Sequence, residues 1–597
     1  MRRLGSRRAS AITALTRHAG VWVPYALNCR TLVEHCGTMT TPSASTATSP
    51  RKARGAFFTP EPLARFLTDW AIRSPADAIL EPSCGEAAFL LAAATRLTGL
   101  SEGAPGSVPA PHLDGIELHA ESAQTALDLL RTAGITASIR VNDFFEVQPT
   151  GSYDAVIGNP PYIRYQEFAG EARARSREAA LRAGVPLSNL ASSWAAFTVH
   201  ASLFLKPGGR LALVLPAELL TVNYAAGIRR MLLEKFSHVS LAVFEERVFP
   251  GVLEEVVLLM ADGYTRGPAD HCRIYQARNA EDLSTPILPR LWRPDTPEGK
   301  WTPSLLPAKA LAAYAGLVAG EQFSPLHSWG ETTLGMVTGN NRYFTLSPRK
   351  AADLGLRLTD LVSVSPPGSR HLRGLSFTQS ALTELGKTGS ATWLFRPASE
   401  PSAAARDYIT AGEALGVHRA YKCRIRKPWW RTPLVPPADL LLTYMNADTP
   451  RLCANQANIR HLNSVHGVYL NSALRELGTG LLPLAALNTV TLLGAETVGR
   501  SYGGGMLKLE PKEADRLPVP SPALIEAAGT ALTALRPQMA TRLRNARLMD
   551  AVRLVDNVIL IGELGMSRAV IRDLREAHAE LTARRTARGS SPRDTDQ

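Results

Sequence analysis

Residues 79–90 read ILEPSCGEAAFL, and the order of residue types in them decides the fold. Aliphatic residues lead to an acid, Glu81, then to a turn of small residues, Ser83, Cys84 and Gly85, then to an apolar helix start. This is a buried strand that turns tightly into a helix, with a backbone that a ligand can approach closely. Downstream, 114-DGIELH ends a second strand on Glu117, and 141-VNDFF ends a third on Asp143 and Phe144. Apolar runs near 78–82, 112–117, 138–142, 153–158 and 210–216 alternate with amphipathic stretches near 60–73, 86–98, 119–133 and 190–205. That alternation predicts βαβ units and an α/β, doubly wound, Rossmann-like sheet with its ligands at the carboxyl ends of the strands.

Chemistry-bearing side chains fall at those ends. After the fourth strand comes Asn159-Pro160-Pro161-Tyr162. Two successive prolines force the chain out of the sheet as a rigid turn. Such a turn suits the Asn159 carboxamide and the Pro160 carbonyl to converge on one amine, accept both its N–H bonds and free its lone pair for in-line attack on a methyl sulfonium. Tyr162 offers a flat face for a planar base. Glu117 suits two ribose hydroxyls, Asp143 an adenine amino group, and Phe144 the adenine ring. Each residue also has a plain reading: a strand-ending turn for the prolines, a helix N-cap or a solvated loop acid for each carboxylate.

The order GAFFTP (55–60), EPSCGEAAFL (81–90), GIELH, NDFF and NPPY, followed by a long carboxyl-terminal region, resembles the gamma-type adenine-N6 DNA methyltransferases of bacterial restriction–modification systems. The resemblance is specific over 55–260 and extends in layout to about 520. It implies a class I fold that uses S-adenosyl-L-methionine. It implies further that Phe58-Thr59-Pro60 closes over the cofactor, that Thr59, Glu81 and Ser83 serve its methionine end beside the close-approach turn at Gly85, and that Glu117, Asp143 and Phe144 hold its adenosine. Asn159, Pro160, Pro161 and Tyr162 would then be catalytic and grip a base flipped out of the duplex. In 245-EERVFPGVLEEVVLLM, Phe249 resembles a second stacking platform, with a buried core aromatic as the alternative. Glu86 departs from the family, which has small residues after the Cys-Gly pair; its charge fits only if it points outward as a first-turn acid.

Five regions are expected: a disordered basic arm (1–53), the methyltransferase domain (54–264), an irregular Pro-rich extension (265–325), a mixed α+β target-recognition domain (326–520), and two helices with a polar tail (521–597). The arm has one acid, Glu34, and the composition also of a transit peptide or of sequence upstream of a true start at Met39. In the target-recognition region, 333-TLGMVTGNNRYFTL offers Asn341 and Arg342 to base edges. The stretch 421-YKCRIRKPWWR interleaves Arg424 and Arg426 with Trp429. Arg500 and Lys508 flank a run of three glycines. These types read bases or clamp phosphates; turns and an exposed basic strand use them equally.

The net charge of +13 at pH 7 points to a polyanionic partner, double-stranded DNA in this reading. Six cysteines with no CxxC pair argue against a metal site and suit a reducing cytoplasm. No stretch approaches the roughly 18–20 apolar residues of a membrane span. The string 294-PDTPEGK imitates a nuclease acid–acid–lysine motif, but its spacing and prolines exclude one. The expected protein is therefore a stand-alone methylase, or one served by a separate restriction endonuclease or defence-system subunit. The rival acceptors are cytosine N4, RNA and a protein glutamine amide. A non-catalytic DNA-specificity protein is the rival from another class.

Overall fold

The strands expected in the first part of the chain form within a residue or two of their predicted bounds, save that β5 starts earlier. In the computed structural model β1 (Ala78–Glu81), β2 (His112–Glu117), β3 (Ser138–Val141), β4 (Tyr153–Gly158) and β5 (Leu205–Pro216) run parallel in the order β3-β2-β1-β4-β5. Beyond β5 the sheet continues through β7 (Val256–Tyr264), antiparallel to its neighbours, and β6 (Phe236–Phe244). The structure describes residues 59–102, 112–163, 167, 170–246, 248–249, 255–502 and 505–587, all in one compact unit, Arg51–Gln597. The basic arm, Phe58, most of the Gly/Pro loop (103–111), Pro250 to Glu254, and Gly503 and Gly504 lie outside these residues.

Both faces of the sheet are covered, which is why its central strands read as continuous apolar runs. Along β5, Leu211, Leu213 and Leu215 enter one core while Ala212 and Val214 enter the other. Helices α1 (Glu61–Ala71) and α2 (Ala88–Glu102) cover the second face with Leu63, Leu67, Phe89 and Leu90. Three further helices are α3 (Ala120–Thr132), α4 (Gly170–Arg182) and α5 (Ser193–Ser202). With α6 (Ala226–Lys235), α5 packs on the first face, through Trp194, Phe197, Ile228 and Leu232. That core runs on without a break into the carboxyl-terminal half, to Leu482, Val490 and Leu574.

The extension expected to be irregular is instead largely ordered. β8 (Cys272–Ala277) and β9 (Arg290–Trp292) complete a nine-stranded sheet, and a helix follows at Ala308–Ala319. β8 lies near the sheet edge and buries only Cys272, Ile274 and Ala277, too short an alternation to stand out in sequence. Lys300, the lysine of the nuclease-like string, is a brace. Its ammonium donates to the Gly499 carbonyl at 3.0 Å and to Glu513 at 2.9 Å. Next to it the Trp301 N–H donates to Leu220 O at 2.8 Å. Burial pushes the Lys300 amine down to about 8 against the pull of Glu513.

The region beyond is mixed α+β. A four-stranded antiparallel sheet joins Gly330–Leu334, Val465–Leu470, Leu440–Thr443 and Leu452–Ala454. A three-stranded sheet holds Thr345–Leu346, Trp393–Phe395 and Leu361–Ser363. Phe323–Pro325 pairs with Pro518–Pro520, so the chain enters and leaves this region side by side. The two helices expected after 521 are broken into more pieces: Pro522–Ala527, Gly529–Arg544, Leu548–Asp556, a π segment Asn557–Glu563, and Arg568–Ala587. Two of the breaks fall where Ala546 and Gly565 take positive φ, 56° and 62°, angles a continuing helix cannot accept. Among the described residues no single helix is long and apolar enough to cross a membrane; one bent pair, Ser472–Ala485 with Thr489–Val498, passes by length and composition alone.

Candidate active site

β1 and β4 are neighbours, with Ile79 opposite Ala155 and Leu80 opposite Val156. The strand order reverses between them, so their carboxyl ends open the crevice where doubly wound sheets bind ligands. The turn 82–87 leaves β1 into this crevice and the double-proline bend leaves β4 beside it.

Gly85 takes φ +49°, and the space its missing Cβ would fill is open for 4 Å. Its N–H donates to Glu117 Oε2 at 3.0 Å, and Glu117 Oε1 accepts from His119 N–H at 3.0 Å. The Glu117 carboxylate, 7% exposed, is thereby aimed by two backbone amides, and each oxygen keeps lone pairs for further donors. Cys84 N–H bonds to Ile116 O at 3.0 Å and ties the turn to β2. Ser83 is half-buried in the same turn, and Glu86 lies in it ahead of α2 rather than in the helix. An open cradle beside an acid suits the adenosine and methionine parts of S-adenosyl-L-methionine.

Gly158 at φ +157° turns the end of β4 into Asn159. The Asn159 amide donates to Thr59 Oγ1 at 3.2 Å, which brings the amino-terminal segment onto the bend. Its carbonyl oxygen, Oδ1, is buried and has no hydrogen-bond partner. A buried orphan acceptor costs on the order of 1–3 kcal/mol and calls for an explanation. Pro160 is buried and Pro161 half-buried. Tyr162 donates its hydroxyl to Val214 O at 2.9 Å, and its ring rests against both cores of the sheet.

A residue not singled out in the sequence holds this bend. Ser193, 2% exposed at the start of α5, donates its hydroxyl to Pro161 O and accepts Ile163 N–H at 2.9 Å. Its own N–H donates to Ile163 O at 3.1 Å. Beside it, Trp194 Nε1 and Tyr224 donate to the Glu218 carboxylate. Burial, with Glu218 adding to it, pushes the Tyr224 phenol far above its ordinary range. In sequence Ser193 looks like one more helix-start hydroxyl, so nothing there distinguishes it.

Three expected cofactor contacts stand differently. Glu81, 2% exposed, accepts the Leu90 N–H at 3.0 Å and braces the start of α2 instead of presenting a free carboxylate. Asp143 caps a short 3-10 turn through Phe145 N–H at 3.0 Å and faces Arg175 at 3.4 Å. Phe144 is a core aromatic: 5% exposed, stacked on Phe204 at 5.2 Å and tilted against Phe197 at 4.6 Å. Two large apolar side chains are left open here: Leu118, 60% exposed directly after Glu117, and Val141, 53% exposed opposite Glu117 on β3. Phe249 is likewise in the core, 5% exposed among Val248, Val256 and Leu258. Of its two readings, the core aromatic is the one this structure supports.

Several residues expected to meet DNA are also bound inward. Arg426 donates to Thr338 O at 2.8 Å and to Val337 O. Trp429 Nε1 donates to Glu413 at 3.0 Å, and its ring packs on Tyr343 and Phe344. Arg500 meets Glu510, and Lys508 bonds to Glu510 at 3.0 Å with its ammonium 4.7 Å over the Tyr502 ring. The Asn341 carbonyl oxygen accepts from Thr338 Oγ1 at 2.6 Å. Arg342 and Arg424 are both exposed.

Residues 44–281 match the N-6 DNA methylase family, and residues 298–560 match the C-terminal domain of the type II methyltransferase M.Eco57I. The chain is similar to the type II methyltransferase M.XamI of Xanthomonas campestris pv. amaranthicola, at 28% identity over 78% of this chain and 85% of that protein. It is similar to M.AccI of Acinetobacter calcoaceticus at 24% identity, over 79% and 86%. Among solved structures, the type IIL restriction–modification enzyme MmeI in complex with DNA aligns with a TM-score of 0.49 at 12% identity, over 88% of this chain and 75% of that one. With one match falling on the crevice half and the other on the mixed α+β half, the chain joins an N-6 DNA methylase region to a C-terminal domain of the M.Eco57I kind, the make-up of an adenine-specific DNA methyltransferase.

Proposed function

We propose that this adenine-specific DNA methyltransferase works on a base turned out of the duplex and gripped by Asn159, Pro160 and Tyr162. The observation that carries the reading is the buried, partnerless Asn159 Oδ1, an acceptor at the carboxyl end of β4 with no donor of its own. A flipped adenine supplies the missing donor: one amino N–H goes to Asn159 Oδ1 and the other to the Pro160 carbonyl. Engaging both hydrogens with acceptors draws the nitrogen toward tetrahedral and frees its lone pair. Tyr162, its hydroxyl anchored on Val214 O, offers a ring held still for stacking, which returns about 1–3 kcal/mol of the unstacking cost.

Bound S-adenosyl-L-methionine supplies a methyl group on a sulfonium. Glu117 would take the ribose hydroxyls, the turn at Ser83 and Gly85 together with Thr59 would hold the methionine end, Leu118 would cover the adenine ring, and Asp143 would hold its amino group. No base on the protein is needed, because the proton leaves the methylated nitrogen to solvent.

Tritium transfer from labelled S-adenosyl-L-methionine to unmethylated DNA, followed by nucleoside analysis, tests this. N6-methyladenine should carry the label, and Asn159→Ala should abolish transfer while cofactor binding remains. Label in N4-methylcytosine, RNA or protein would overturn it. The setting proposed is cytoplasmic DNA modification, with a restriction endonuclease or defence subunit supplied separately.

A further inference from the structure

Between Glu413 and Asp439 the chain carries no acid and six Lys or Arg residues. The fold sorts this stretch into two sides. Cys423, fully buried, and Arg426 point inward to Thr338 and Val337, and the Trp429 ring packs on Tyr343 and Phe344 while its Nε1 donates to the exposed Glu413. Gly339 packs here so tightly that a Cβ on it would stand 3.1 Å from Lys422 Cβ and from Cys423 Sγ. The outer side is thus mounted on a fixed base.

On that outer side stand two large apolar side chains, Tyr421 at 63% exposure and Ile425 at 58%. They bracket the short helix Tyr421–Arg424, and Ile425 keeps helical angles, φ −83° and ψ −1°. Four residues apart, they share one face. Lys422 Nζ lies 5.6 Å from the Tyr421 ring centre and Arg424 Cζ 6.0 Å from it, and Lys427 is also exposed. Single exposed hydrophobes are ordinary. A rigidly mounted aromatic–aliphatic pair ringed by cations, with no acid in its stretch of chain, is complementary to stacked bases inside a phosphate frame.

We propose that this face contacts duplex DNA, with Tyr421 and Ile425 against the bases and Lys422, Arg424 and Lys427 on phosphates. The proposal rests on the reading that duplex DNA is the substrate. It replaces Arg426 and Trp429, which the fold consumes, with residues it leaves free.

The test is binding of the full-length chain to a labelled mixed-sequence duplex across a salt series. Lys422→Ala with Arg424→Ala and Lys427→Ala should lower the salt slope by about 0.9 for each phosphate that is no longer neutralised. Tyr421→Ala with Ile425→Ala should weaken binding about tenfold at an unchanged slope. All five side chains are exposed, so folding should survive, and a thermal melt verifies it. Wild-type binding by both variants overturns the proposal. So does tighter binding to single-stranded RNA that the same substitutions abolish. Methyl transfer is read separately: binding through this face without transfer sinks the catalytic reading alone, and transfer with unaffected variants sinks this proposal alone.

Discussion

Ser193 and Pro161 are joined by a hydrogen bond from the serine hydroxyl to the proline carbonyl, and the same hydroxyl accepts the Ile163 N–H. One buried oxygen therefore spans the bend that carries Asn159 and Tyr162. A rigid double-proline turn fixes its own shape but not its orientation to the sheet; α5 supplies that through Ser193. Removing the hydroxyl leaves a half-buried acceptor and a half-buried donor without this partner, at a cost of up to roughly 1–3 kcal/mol each. Relieving it requires the bend to shift.

Ser193→Ala is expected to lower the single-turnover methyl-transfer rate by about tenfold or more. The KM values for cofactor and DNA should stay within about threefold, because only the aim at the reacting amine changes. Ser193→Thr, which keeps the hydroxyl, should restore most of the rate. Equal losses in both variants, or an effect confined to KM, would assign Ser193 a packing role only.

Under the proposed function Leu118, 60% exposed, takes the role at the adenine ring that the sequence suggested for Phe144, 5% exposed. Leu118→Ala should weaken S-adenosyl-L-methionine binding by about tenfold, the worth of one leucine covered by a ring, with little change in Tm. Phe144→Ala should do the reverse. Its ring fills a core among Phe197, His200 and Phe204, and its loss should cost about 3–5 kcal/mol of stability. Calorimetric titration with the cofactor and thermal melts of both variants read the contrast directly.

Why some of this was legible in the chain and some was not follows from the physics of each signal. The sheet announced itself because β1, β4 and β5 are buried on both faces, so their apolar runs are unbroken and their ends are marked by an acid, a small-residue turn or a proline pair. β8 was missed because a strand near the sheet edge carries only three buried residues, and these are split between its two faces. Glu117 and Asn159 were found because a strand end leaves a polar side chain few places to go. Arg426, Arg500 and Lys508 stayed ambiguous because a guanidinium or ammonium that clamps a phosphate has the same sequence as one that braces a carbonyl or a glutamate. Only the distances to Thr338, Glu510 and Glu513 separate the two.

Arg426 and Arg424 make that distinction measurable. Arg426→Ala removes charged hydrogen bonds to two carbonyls that hold the 337–342 turn. Hydrogen bonds of this kind contribute about 1.5–3 kcal/mol, so a lower Tm is expected with an unchanged salt slope for duplex binding. Arg424→Ala should leave the Tm in place and reduce the slope by about 0.9. Identical behaviour of the two variants would contradict the inward and outward assignments.

Glu81 ties stability to pH. Burial pushes its carboxyl well above the usual carboxylate range; the N–H groups of Leu90 and Phe89 pull it partly back, and the nearby Glu117 charge pushes it further up. A raised folded-state pKa means the native state holds the proton more tightly than the unfolded chain does. The resulting stabilisation is complete below the unfolded-state pKa of a glutamate and is lost as pH climbs through the raised value. Glu81→Gln keeps the size and the acceptor for Leu90 N–H but cannot ionise. Comparing urea midpoints of wild type and variant from mildly acidic to mildly alkaline buffer isolates this one group. The variant should gain stability relative to wild type as pH rises. Parallel curves would mean that Glu81 is ionised throughout and that water or another donor reaches it.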